Sequence, residues 1–198
     1  NIPPLHAHNT AHNNRRGIEI DSSTQVVQHF NLWRSAEFAI YTIVENPYPD
    51  ESLIANVTIA DSLNGIFVAQ TAMYGASRGK SGSQIHMNKS LIVGFSRYRR
   101  GFGCGRPRGR PMNVTGVWMP FLGTELGNPN GPLEVPAGLV KQGEVKLTSV
   151  TFASFEGLCD TATYAMRVNP HCLDHNTPAY FRDISWDEVD EQHKLYMP

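Results

Sequence analysis

The residues with the clearest chemical potential crowd into one basic stretch. Arg97, Arg99, Arg100, Arg106, Arg108 and Arg110 are interleaved with Tyr98, Phe102 and several glycines. Guanidinium groups pair with phosphate through a planar fork, and aromatic rings stack on bases, so single-stranded RNA is one partner this loop suits. The same arginines suit an acidic neighbouring subunit, and both readings stay open. Arg78 and Lys80 form a second basic group within Gly75-Ala76-Ser77-Arg78-Gly79-Lys80-Ser81. That run approaches a phosphate-binding loop but has one residue too few between its glycines. A strand pattern follows it where the motif needs a helix N-terminus, so it reads as a basic turn. Pro107-Arg108-Gly109-Arg110-Pro111 matches a minor-groove clamp, but a single copy between two strands reads as coincidence.

Other chemistry is sparse. His171, Cys172 and His175 with Cys159 hint at zinc, yet no close cysteine pair completes the set. His6, His8 and His12 could take up metal only adventitiously. No G-x-S-x-G elbow and no carboxylate pair stands out, so no catalysis, metal or cofactor is expected. Trp33, Trp118 and Trp186 could serve as flat platforms for sugar rings.

The charge is segregated. The 198 residues carry 17 basic and 18 acidic side chains, a net charge of -1. Between Ser62 and Thr124 stand nine basic residues and no acidic one. The near-neutral total excludes a coat driven by a basic tail, but segregation leaves basic and acidic faces for different neighbours.

The elements that must position these residues read as strands. Hydrophobic residues make up 40 % and charged residues only 18 %, with 17 glycines and 13 prolines. Period-two alternation recurs at Ile18 and Ile20, at Val26 to Leu32, at Phe38 to Val44, and at Leu53 to Ile59. It is clearest from Ile85 to Phe95, where only Lys89 breaks the apolar face. It returns at Val117 to Phe121, at Val145 and Leu147, and at Ala162 to Val168. After Leu147 the phase slips to Val150 and Phe152, which predicts a bulge or a bend between sheets. Leu63, Ile66, Phe67, Met73 and Tyr74 have helical spacing and predict a short helix over 63–74. About eight strands between turn signals predict an all-β fold. The expected form is a single eight-stranded jelly-roll barrel or sandwich with one or two short helices. Residues 1–16 read as a flexible or surface-draped arm, 17–182 as the jelly-roll domain and 183–198 as an acidic C-terminal segment. No internal repeat or linker emerges.

The chain begins at Asn1, which suggests excision from a precursor, and its start has no apolar signal region. No apolar run approaches the length of a membrane span, so no membrane partner is expected. The odd count of Cys104, Cys159 and Cys172 favours a reducing compartment. The sequons at Asn56, Asn88 and Asn113 read as chance.

Thr71-Ala72-Met73-Tyr74 followed by Lys80-Ser81-Gly82-Ser83-Gln84-Ile85-His86-Met87 resembles the helix-to-strand segment of the small coat proteins of comoviruses and fabaviruses. The resemblance implies a jelly roll released from a polyprotein. It implies a place around the five-fold axes of a pseudo T=3 shell, among copies of itself. A large coat protein would be the partner, and single-stranded genomic RNA the enclosed content. Location would be the virion, and the host cytoplasm during assembly. On the residues alone, a small cytosolic RNA-binding protein using the loop 97–110 and a carbohydrate-binding β-sandwich remain the alternatives.

Overall fold

The computed structural model describes residues 5–20, 26–45, 51–71, 84–94, 114–119, 145–155, 163–168 and 179–196. These residues are nearly all β, as expected. The first turn of chain holds β1 (Leu5–Ala7), β2 (Thr10–His12) and β3 (Arg16–Ile20). Then follow β4 (Val26–Gln28), β5 (Asn31–Trp33) and β6 (Phe38–Glu45), and after them β7 (Glu51–Ala55), β8 (Thr58–Ala60) and β9 (Asn64–Thr71). The fourth turn holds β10 (Gln84–Asn88), β11 (Leu91–Val93) and β12 (Val114–Met119). The fifth holds β13 (Val145–Thr148), β14 (Thr151–Phe155) and β15 (Thr163–Val168). The last holds β16 (Ala179–Arg182), β17 (Ser185–Val189), a one-turn helix α1 (Glu191–Lys194) and β18 (Leu195–Tyr196).

Each strand pairs in parallel with the strand three further along the chain. Three sheets result, in the orders β1-β4-β7-β10-β13-β16, β2-β5-β8-β11-β14-β17 and β3-β6-β9-β12-β15-β18. The described chain is a three-sided parallel solenoid of six coils. The expected jelly roll is therefore corrected: its sheets would be antiparallel, and these are parallel. Period-two alternation reports which face of a strand is buried, but not the direction of its neighbour. The repeat escapes the sequence because equivalent positions Leu5, Val26, Leu53, His86, Lys146 and Tyr180 are never separated by the same interval.

Three further expectations change. Residues 5–16 of the presumed arm form the first coil, and 183–196 of the presumed tail form most of the last. The helix expected over 63–74 is strand β9 as far as Thr71. Alternation of exposure is lost there, since Gly65, Ile66 and Phe67 are all buried. A Cβ on Gly65 would meet the Gly116 carbonyl oxygen at 2.4 Å and Ile92 Cγ2 at 3.2 Å, so glycine permits this approach.

The core is a stack of columns, each running in register from coil to coil. The first sheet contributes Val27, Ile54, Met87 and Leu147, and the second Leu32, Ile59, Ile92 and Phe152. The third contributes Ile40, Ile66, Val117 and Met166. All twelve are buried. Burying a large aliphatic side chain is worth about 1.5–3 kcal/mol, and no coil can bury its own without a neighbour.

The corner between the first and second sheets always has two residues. Its first residue takes a positive φ in every coil: His8, His29, Asn56, Lys89, Ser149 and Asp183, between 47° and 58°. Their amides donate up the stack, for example His29 to the Ala55 carbonyl at 3.1 Å and Lys89 to the Thr148 carbonyl at 3.1 Å. Lys89, which interrupts the clearest alternating run, is thus a corner, and that run is two strands on two sheets. The slip after Leu147 is the same corner at Ser149 and Val150, so the expected bend between sheets is present. Asn56 stands exposed at a corner rather than inside a strand. In a second set of left-handed residues, Asn13, Arg34 and Asp61 follow β2, β5 and β8, while Ser154 and Glu188 lie near the ends of β14 and β17.

Candidate functional site

Every basic residue singled out from the sequence lies outside the described residues: Arg78, Lys80, Arg97, Arg99, Arg100, Arg106, Arg108 and Arg110. The same holds for Cys104, Cys159, Cys172, His171 and His175. In the sequence the basic stretch lies between β11 and β12. Among the described residues no group of three or more His, Cys, Asp or Glu could hold a metal ion. No helix among them is long and apolar enough to cross a membrane.

The three tryptophans separate. Trp186 belongs to an inward column, stacks on Phe152 at 5.3 Å and is covered by Lys194, whose Nζ lies 5.3 Å from the ring centre. It is partly buried and packs against the core. Trp118 lies in β12 on the third sheet. Trp33 is placed as the sugar reading requires.

Alternation in β5 sends Leu32 into the core and Trp33 outward onto the second sheet. In the coil before it His12 holds the same register position, and the imidazole stacks on the indole at 4.7 Å with the planes 7° apart. In the coil after it the position is Ala60, only a methyl group. This loss of side-chain volume opens a depression of about 310 Å³ beside the indole. Asn31, Leu32, Trp33, Arg34, Thr58, Ala60 and Asp61 line it. The volume is at the small end of the range of about 300–1,000 Å³ for ligand pockets.

The polar groups sit on opposite sides of the indole because the backbone puts them there. Asn31 and Thr58 are register partners on the strand side. Arg34 and Asp61 are consecutive left-handed corner residues on the other, at φ 57° and 52°. Their amides donate to the Ala60 carbonyl at 3.1 Å and the Val93 carbonyl at 3.2 Å, which fixes both corners. Below the depression Ser62 braces the same corner. Its Oγ accepts the Ser35 amide at 3.1 Å and donates to the Ala60 carbonyl at 3.3 Å.

The result is an aromatic wall with an amide, a hydroxyl, a guanidinium and a carboxylate around it. Asp61 is the one carboxylate in the lining. Glycoside cleavage by paired carboxylates needs a second one some 5–9.5 Å away, and the lining supplies none. The arrangement can bind a flat ring that has polar edges. The sequence named Trp33 but missed Asn31, Thr58, Arg34, Ala60 and Asp61. No local motif joins them, because the stacking of coils, not chain proximity, makes them neighbours.

A second polar cluster lies on the third sheet. Glu37 accepts from Arg15 Nε at 2.6 Å and Arg16 Nε at 3.2 Å, and Glu19 accepts from Arg16 Nη1 at 3.3 Å. The Arg16 guanidinium lies 4.2 Å from the Tyr41 ring centre. Burial pushes the Tyr41 hydroxyl above its ordinary value, and Arg16 opposes that shift. This network fastens the first coil to the second.

Comparison with protein-family models, curated proteins and solved structures finds no match to this chain.

Proposed function

We propose that the chain is a non-catalytic carbohydrate-binding solenoid, and that the depression beside Trp33 takes one ring of a neutral glycan. The observation that carries this reading is the pairing of Trp33 with Ala60. One face of the indole is backed by His12, and the space at the other is open to a ligand. The C–H face of a sugar ring fits an aromatic plane, and its hydroxyls suit the amide, hydroxyl, guanidinium and carboxylate at the rim. Asp61 suits vicinal hydroxyls, which donate to a carboxylate.

The coat-protein reading drew its fold from an antiparallel jelly roll and its RNA contact from residues 78–110. The sheets are parallel, and the basic residues named for that contact are not described, so the geometry lends it no weight. The same is true of the RNA-binding reading.

The test is a glycan array followed by calorimetry. Neutral glycans should bind, and Trp33→Ala should weaken binding by roughly tenfold or more, a loss of about 1.4 kcal/mol. Ala60→Phe should do the same by filling the depression, with an unchanged circular dichroism spectrum. Equal binding by all three proteins, or no glycan binding by the wild type, would refute the proposal.

A further inference from the structure

The last coil is finished differently from the inner ones. Phe181 continues the column of Val27, Ile54, Met87 and Leu147, whose members are at most 2 % exposed, yet it is 42 % exposed. Leu195 continues the column of Ile40, Ile66, Val117 and Met166 and is 41 % exposed. Among the described residues, these core positions have a ladder neighbour on one side only. Among the described residues no strand pairs with the outer edges of β16, β17 and β18, nor with those of β1, β2 and β3. Unpaired edges beside apolar side chains are templates for further strands.

Charge selects among the strands that could dock there. Around the last coil stand Asp183, Asp187, Glu188, Asp190 and Glu191, all exposed. Its cations Arg182 and Lys194 already pair within the coil, with Asp183 and Glu191. Around the first coil stand His8, His12, Arg15 and Arg16, and Glu19 is its one carboxylate among the described residues. One end of the solenoid is acidic and apolar, and the other presents His8 and His12, while its Arg15 and Arg16 pair with Glu37 and Glu19.

Continuing the ladders by one step makes these ends meet in register. Arg182 would stand beside Ala7 of the next copy, and Asp183 beside its His8. On the second sheet Trp186 would meet Ala11, and Asp187 would meet His12. On the third, Leu195 would cover Ile18. These pairs follow from the columns each residue already occupies. We propose that the chain associates head-to-tail with a second copy of itself, the last coil of one protomer extending all three sheets onto the first coil of the next. The contact is heterologous and does not close, so it builds linear oligomers.

Sedimentation velocity of the full chain at low salt should show a concentration-dependent series above the monomer. Phe181→Lys, at an exposed position, should weaken association by about tenfold or more, as should Asp183→Lys with Asp187→Lys. Adding His8→Glu and His12→Glu to that double variant should restore association, which separates lost contact from lost folding. Orientation is read by mixing Asp187→Cys with His12→Cys under oxidation and mapping the linkage by mass spectrometry. A 187–12 link is expected. A monomer at every concentration would overturn the proposal, as would predominant 187–187 linkage, the mark of tail-to-tail pairing.

Discussion

Lys89 offers a direct test of the corner geometry. It sits at φ 47° in a stack of six left-handed residues. An L-residue with a side chain incurs about 1–2 kcal/mol there, because Cβ crowds the following carbonyl. Glycine escapes that crowding but loses about 0.5–1 kcal/mol more chain entropy on folding. The Lys89 side chain is exposed, so removing it sacrifices no core packing. Its amide bond to the Thr148 carbonyl is a backbone bond and survives any side-chain change except proline. Lys89→Gly should therefore stabilise the solenoid by about 0.5–1 kcal/mol. Lys89→Val places a branched Cβ in the same region and should cost about 1 kcal/mol or more. For a chain of this size each kcal/mol moves the melting midpoint by about 2–4 °C. Thermal and urea melts followed by circular dichroism should rank glycine above lysine above valine. A valine variant that melts at or above the wild type would refute the corner assignment, and so would a glycine variant that melts below it.

Two other predictions rest on single interactions. Ser90 is the second residue of that corner, and its Oγ accepts the buried Val57 amide at 3.1 Å while donating to the Asn88 carbonyl at 2.9 Å. Ser90→Ala leaves the amide without a partner and should lower stability by about 1–3 kcal/mol in urea denaturation. Tyr41 has its hydroxyl pKa raised by burial, against the pull of Arg16. A raised value in the folded state means the unfolded chain ionises first. The contribution of the neutral phenol is complete below the ordinary tyrosine value near 10 and is lost as pH rises through the folded one. Ultraviolet difference titration should show a late-ionising tyrosine that vanishes in Tyr41→Phe, and that variant should lose less stability at alkaline pH.

Much of the strand content was legible, and the reason is local. Residues alternate in and out wherever one face of a strand meets the core, so Ile85 and Met87, or Val145 and Leu147, announce themselves. The connectivity was not legible for the same reason: alternation is identical in parallel and antiparallel strands. Runs that looked like one strand, such as Leu53 to Ile59, are two strands joined at a corner. The two-residue corner shifts the phase, which brings Ile54 and Ile59 inward and leaves Leu53 and Ala60 outward. The slip was visible only after Leu147, although it recurs in every coil. At the candidate site the sequence pointed to Trp33 by residue type alone. It gave Trp186 equal standing, because nothing local tells an outward indole from one stacked on Phe152.

Composition and pattern were enough to settle that this chain is all-β and free of long helices among its described residues, since those properties follow from neighbours two positions apart. Which residues share a surface was decided only in three dimensions. Trp33 faces an open space because the residue one coil further on is Ala60, and its rim is polar because Arg34 and Asp61 occupy consecutive corners. Phe181 is exposed because no coil follows it among the described residues, although its type and alternation match those of the buried Leu147. In a parallel stack each side chain's closest neighbours lie a whole coil away, and no local pattern in the chain encodes that distance.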